Sequence, residues 1–136
     1  MKKILSIACL MLFLTGCPAM HEEILGTSQS QAQIRNYQSK AFDTADKDKV
    51  LRGVISTMQD LGFIIDKADS TLGTVTGTSF THNSKLTVSV REKGKKQTIV
   101  RANAQQGLSP ITDPKPYQNF FNALSQSLFL DAHDVN

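Results

Sequence analysis

Residues 86–105 read LTVSVREKGKKQTIVRANAQ. Through Arg91, Leu86, Val88 and Val90 alternate with Thr87, Ser89 and Arg91. Successive side chains on a strand point to opposite faces, so this alternation predicts a strand with one face buried. The run Lys93-Gly94-Lys95-Lys96 interrupts it, and residues 97–105 resume with the β-branched Thr98, Ile99 and Val100. Two such runs around a short glycine-bearing turn predict an antiparallel hairpin. Its apolar face has to be covered by another layer.

Helices on either side can supply that cover. In residues 43–63, DTADKDKVLRGVISTMQDLGF, the apolar residues Val50, Leu51, Val54, Ile55, Met58 and Leu61 recur at helical spacing. Asp46 is the expected N-cap, with Thr44 competing, and Gly62 suits the position after the last turn. Gly53 costs about 1 kcal/mol relative to alanine in a helix interior, which implies close packing, here expected against a sheet. Downstream, residues 116–130 (PYQNFFNALSQSLFL) place Tyr117, Phe120, Phe121, Leu124 and Leu128 on one stripe, with Pro116 at the first helical position. Residues 63–68, 74–80 and a short first run, 37–42, are the remaining strand candidates. Residues 107–116 hold three of the four prolines and are read as loop. The expected fold is α+β: one four- to five-stranded antiparallel sheet with two helices on one face, in the order β-α-β-β-β-β-α.

The start of the chain sets its expected compartment. Lys2 and Lys3 precede an apolar run from Ile4 to Leu14, and then comes Leu14-Thr15-Gly16-Cys17. Charged start, apolar middle and small residues before a cut are the parts of a secretory signal. The run is about half the ~20 residues a membrane-spanning helix needs. Leu14, Thr15, Gly16 and Cys17 resemble a bacterial lipobox, which implies a diacylglycerol on the Cys17 thiol, cleavage before Cys17 and an N-acyl chain on the freed amine. Two or three acyl chains make a stable anchor where one does not. Pro18 rather than Asp follows Cys17; by resemblance to Gram-negative sorting, this favours the outer membrane facing the periplasm. The expected organisation is a signal peptide over 1–16, a lipidated tether over 17–36, a domain over 37–130 and a polar tail over 131–136.

Cleavage changes the bookkeeping of charge and thiols. Of 15 basic and 12 acidic residues, Lys2 and Lys3 leave with the signal, so the balance becomes 13 against 12. The basic pI of the full chain is therefore no argument for a nucleic-acid partner. Cys9 also leaves, so no internal disulfide is expected and the fold stands on its core.

Within 41–77, the run AFDTADKDKVLRGVISTMQDLGFIIDKADSTLGTVTG has a recognisable order: a strand ending in Phe-Asp, a helix ending in Leu-Gly-Phe, a strand with an acidic turn, then Leu-Gly-Thr-Val. It resembles small bacterial envelope lipoproteins with a helix-grip-like domain, and is similar in outline to the repeated domain of the BamC barrel-assembly lipoproteins. The likeness spans about residues 37–130. It implies a helix-grip-like fold and an envelope location, and carries no catalytic signature.

Chemistry-bearing residues are sparse. His21, His82 and His133 fall in the tether, a turn and the tail. His21-Glu22-Glu23 lacks the fixed third and fourth ligands that zinc takes. Asp43, Asp46 and Asp48 suit the positive end of a helix and lack the glycine and closing glutamate of an EF-hand loop. No phosphate loop, dinucleotide fingerprint or nucleophile elbow occurs. The expectation is a non-enzymatic lipoprotein with no metal and no cofactor beyond its covalent lipid, and with no nucleic-acid or small-molecule substrate. Its partners would be the membrane and another envelope protein. Contacts are expected from the outward Thr87, Ser89 and Arg91 and from the hairpin-tip residues Lys93, Lys95 and Lys96. The competing expectation is a periplasmic ligand-binding module, with Phe120, Phe121 and Phe129 lining an apolar cleft between helix and sheet. A third, a hydrolase, would need a polar constellation assembled only in space.

Overall fold

A computed structural model of the chain describes residues 30–130 and 132–135. The lipobox residues Leu14, Thr15, Gly16 and Cys17 and the triplet His21-Glu22-Glu23 lie outside these. The elements in order are α1 (Gln31–Gln38), β1 (Ser39–Phe42), α2 (Lys47–Asp60), β2 (Ile64–Asp69), β3 (Thr74–Ser79), β4 (Ser84–Lys93), β5 (Gln97–Gln106), β6 (Ser109–Pro110), α3 (Pro114–Leu128) and β7 (Ala132–Asp134). The fold is α+β. All strands join one antiparallel sheet in the order β2-β3-β4-β5-β1-β7, with the short β6 beside β5.

The alternation in residues 86–91 carries into space. Leu86, Val88 and Val90 are buried opposite Ala104, Ala102 and Val100 of β5, and join Val75 of β3 and Phe42 of β1. Val50, Val54 and Met58 of α2 and Tyr117, Phe120 and Leu124 of α3 close this layer from above. Asp46 caps α2, its carboxylate accepting from the Lys49 amide at 2.9 Å. Asp113 caps α3, which begins at Pro114 rather than Pro116.

Two segments depart from the sequence expectation, and each has a cause. Residues 31–36, expected as tether, form most of α1, and Tyr37 and Gln38 end that helix rather than opening a strand. The signal was a capping box: the Ser30 hydroxyl accepts from the Gln33 amide at 3.2 Å, while the Gln33 side chain accepts from the Ser30 amide at 3.1 Å. An apolar stripe is absent because only the last turn is packed; Gln38 is the buried residue of α1 and donates to the Tyr117 hydroxyl at 3.2 Å. In the tail, residues 132–134 form β7 against β1, pairing Lys40 with Asp134, Ala41 with His133 and Phe42 with Ala132. This strand, the two-residue β6 and the third helix raise the element count above the four to five strands and two helices expected.

Gly53 is also placed differently. A Cβ there would stand 2.6 Å from Leu128 Cδ2, so α2 approaches α3, not the sheet, at this point. The close approach of α2 to the sheet is at Gly77, where a Cβ would meet Met58 Cε at 2.8 Å.

The β7 docking is expected to be acid-sensitive. Asp134 is held below the usual carboxyl range by the hydrogen bond from Lys40 and by that ammonium's charge. Asp43 is lowered by the Gln97 amide, 2.9 Å away, against a smaller opposing effect of burial, with His133 adding to the lowering. A depressed folded pKa contributes stability that is complete above the unfolded value and is lost as the pH falls through the folded one. The protection factor of the amides at residues 133–135 is therefore expected to hold at pH 5 and to fall below about pH 4, while β4 and β5 remain protected. Unchanged protection of β7 down to pH 2 would contradict this.

Candidate functional site

The helices cover one face of the sheet. Among the described residues no helix packs on the other. That face is formed by Thr74, Thr76 and Thr78 of β3, Lys85, Thr87, Ser89 and Arg91 of β4, and Ile99, Arg101, Asn103 and Gln105 of β5. It follows from the period-two pattern: every second residue of β4 fills the core, so the intervening ones are placed on this surface. The expected contact residues Thr87, Ser89 and Arg91 lie here in one file along β4. Arg91 is exposed, while Thr87 and Ser89 are half-buried between neighbouring strands. Arg101, opposite Ser89, belongs to the same surface. Its place was readable in principle from the alternation of β5, once the register was known.

Lys93, Lys95 and Lys96 sit at one end of the hairpin. With Asp43, Thr44, Ala45 and Gln97 they line an open cleft of about 730 Å³. Asp43 also contacts His133 Nε2 at 3.0 Å, so residues from β7, the segment before α2 and β5 meet here. Asp46 is committed to its cap. Among the described residues no group of three or more His, Cys, Asp and Glu side chains is arranged to hold a metal.

A second concavity, about 890 Å³, opens at the other end of the hairpin, between the start of α3, the end of α2 and the β3–β4 turn. Phe63, Leu86, Ala104, Ile111 and Phe120 give it apolar walls, and His82, Asp113 and Lys115 are polar residues on its lining. Of the three phenylalanines expected in a cleft, Phe120 lines it. Phe121 is buried, its ring packed edge-on to Phe120 with centroids 5.2 Å apart. Phe129 is 94% exposed at the C-cap of α3 and lines nothing. The correction follows from the helix end: Phe129 adopts φ 55, which ends the stripe.

Tyr117 organises the groove wall. Its hydroxyl donates to the Ile111 carbonyl at 2.7 Å and accepts from the Ala104 amide at 3.1 Å. Its ring lies 5.5 Å from that of Tyr37, whose own hydroxyl donates to the Thr112 carbonyl. Burial raises the Tyr37 phenol above its usual range, with Tyr117 and Asp113 adding to the effect. The sequence placed Tyr117 on a buried stripe but gave no sign of this polar role.

A serine and a histidine also meet, Ser79 Oγ and His82 Nδ1 at 3.2 Å. Ser79 is 1% exposed and lies three residues from its partner in the same turn. A nucleophile has to reach its substrate and its base has to be oriented by a third group; the buried hydroxyl fits a turn contact. Comparison with models of known families finds no match, and no curated protein matches the sequence.

Proposed function

We propose that this is a lipid-anchored, non-enzymatic envelope lipoprotein, held by acyl chains on Cys17 and acting as an accessory subunit that binds another envelope protein. The observation that carries the reading is the uncovered sheet face: a largely polar surface with Thr87, Ser89 and Arg91 in one file. The lipobox-like Leu14-Thr15-Gly16-Cys17 supports the anchor, and the residue after Cys17, Pro18, supports the outer membrane on its periplasmic side. Confinement to a membrane raises the effective concentration of membrane partners, so a weak contact suffices. The outline likeness to the BamC repeated domain is consistent with an assembly role.

Crosslinking and pull-down of the Cys17-anchored protein from membranes tests this, with Cys17→Ala as the control. One dominant envelope protein, recovered with the anchored form and lost at least about tenfold in the control, is expected. Equal recovery with both forms would remove the anchor from the function, and recovery of no protein would refute the accessory reading.

A second reading, a ligand-binding module, is favoured by the groove beside Phe120. Its volume and its mostly apolar surface are those of a small-molecule site. Native mass spectrometry of the purified protein would show a retained lipid-sized mass if this reading holds.

A further inference from the structure

We propose that the uncovered sheet face receives an acidic segment of the partner protein, with Arg91 and Arg101 as its two anchors; this rests on the accessory reading above. Arg91 stands opposite Ile99, and Ser89 stands opposite Arg101. The two arginines are therefore diagonal neighbours on adjacent central strands, about 7–8 Å apart at Cα. Both are exposed. Among the described residues neither side chain has a hydrogen bond or an ion pair, and the same holds for the side chains of Lys85 and Lys67 on this face.

Counter-charge is missing from the places where it would serve. The outward positions of β4 and β5 carry no Asp or Glu. The acids of this face stand on the edge strand β2 and are already occupied. Asp66 accepts from the Thr78 hydroxyl at 2.7 Å, and Asp69 accepts from the Leu72 amide at 2.9 Å. The two diagonal, exposed guanidinium groups therefore place two positive charges on one stretch of the face, where an incoming anion can meet both. Planar guanidinium forks match carboxylates in two-point contacts, which fixes orientation as well as adding attraction.

The chemistry of the face distinguishes among anions. Its outward positions on β2 to β5 include no Phe or Tyr, and the exposed Phe80 lies past the end of β3, so no row of rings for stacking nucleic-acid bases stands beside the arginine pair. The lysines suited to lipid head groups cluster at the hairpin tip, two residues beyond Arg91, whereas Arg101 lies mid-strand between Ser89 and Ser39. A surface of Thr, Ser and Asn, with Ile99 opposite Arg91, around the arginine pair is suited to a protein surface bearing Asp and Glu, where arginine is a frequent anchor of binding energy.

The test uses the full-length lipidated protein in its native membrane. A photocrosslinking residue is placed at Asn103 on the open face or, separately, at Asn122 on the exposed side of α3. The expected result is an adduct from position 103 with an Asp/Glu-rich segment of one envelope protein. The paired change R91E/R101E should reduce it at least about tenfold, and raised salt should weaken it. A thermal melt confirms that R91E/R101E folds, with R91Q/R101Q as the milder variant if it does not. An adduct from 122 alone would overturn the surface and leave the accessory reading standing. So would an adduct at 103 that survives the arginine changes, or one formed with lipid, nucleic acid or residues 17–29 of the same chain, which carry Glu22 and Glu23. No adduct at either position would overturn both readings.

Discussion

Tyr117→Phe is expected to destabilise the domain by about 3 kcal/mol, because an unsatisfied buried donor or acceptor costs about 1–3 kcal/mol. The change keeps the ring and removes one oxygen. That oxygen serves three groups from three parts of the chain: the Ile111 carbonyl in the loop before α3, the Ala104 amide of β5 and the Gln38 side chain of α1. Gln38 is 8% exposed, and no ring carbon can replace the acceptor it loses. The urea midpoint should fall with the slope unchanged, as for a loss of stability without a change in the unfolding reaction. Amide exchange should also be uneven: faster across Gln31–Gln38 and residues 111–113, little changed in β4 and β5. A midpoint within error of wild type would show that water replaces the hydroxyl, and the polar clamp would then be unnecessary. The functional consequence is local, since Tyr117 walls the groove and fastens the helix that leads toward Cys17.

Gly73→Ala is expected to cost about 2–5 kcal/mol, from a left-handed backbone at about 1–2 kcal/mol and overpacking at about 1–3 kcal/mol. Gly73 has φ +68, and a Cβ there would stand 2.3 Å from the Val90 carbonyl oxygen and 2.7 Å from Lys47 Cε. Lysine can move; the carbonyl belongs to the central strand β4 and cannot. The same glycine accepts from the Val90 amide at 2.7 Å, and Lys47 reaches over the turn to the Thr71 carbonyl at 3.3 Å. One corner thus ties the β2–β3 turn, the start of α2 and β4 together, one residue from Arg91. A chemical denaturation curve reads the loss. Gly94→Ala is the comparison: it shares a positive φ, 64, but a Cβ there meets nothing within 4 Å, so it should show the backbone cost alone. Equal losses in the two variants would remove the backbone contact from the explanation.

Much of this architecture is legible in the chain, and for local reasons. The β4–β5 hairpin is written in six alternating residues and a Lys-Gly turn. The stripes of α2 and α3 are written in three- and four-residue steps, and Asp46 caps α2 as its position implies. Glycines were harder to read. Gly53 signals a close approach, but the sequence does not say to what, and the neighbour is Leu128, 75 positions away. Likewise the expected contact residues Thr87, Ser89 and Arg91 share a face by alternation alone, while Phe129 left the expected cleft because a left-handed C-cap turns it outward.

By itself the sequence determined the α+β class, the central hairpin, two of the three helices and which side of β4 faces the core, since each depends on residues a few positions apart. Tertiary structure alone decided the rest. The tail became β7 because β1 offers it an edge, through pairs such as Lys40 with Asp134 that are 94 positions apart. The groove formed where the loop before α3 folds back on β5, held by the Tyr117 and Tyr37 hydroxyls and the Ile111 amide, which donates to the Ala104 carbonyl. Arg101 came to stand beside Arg91 only through the β4–β5 register, which periodicity does not encode and which the turn and packing together fix.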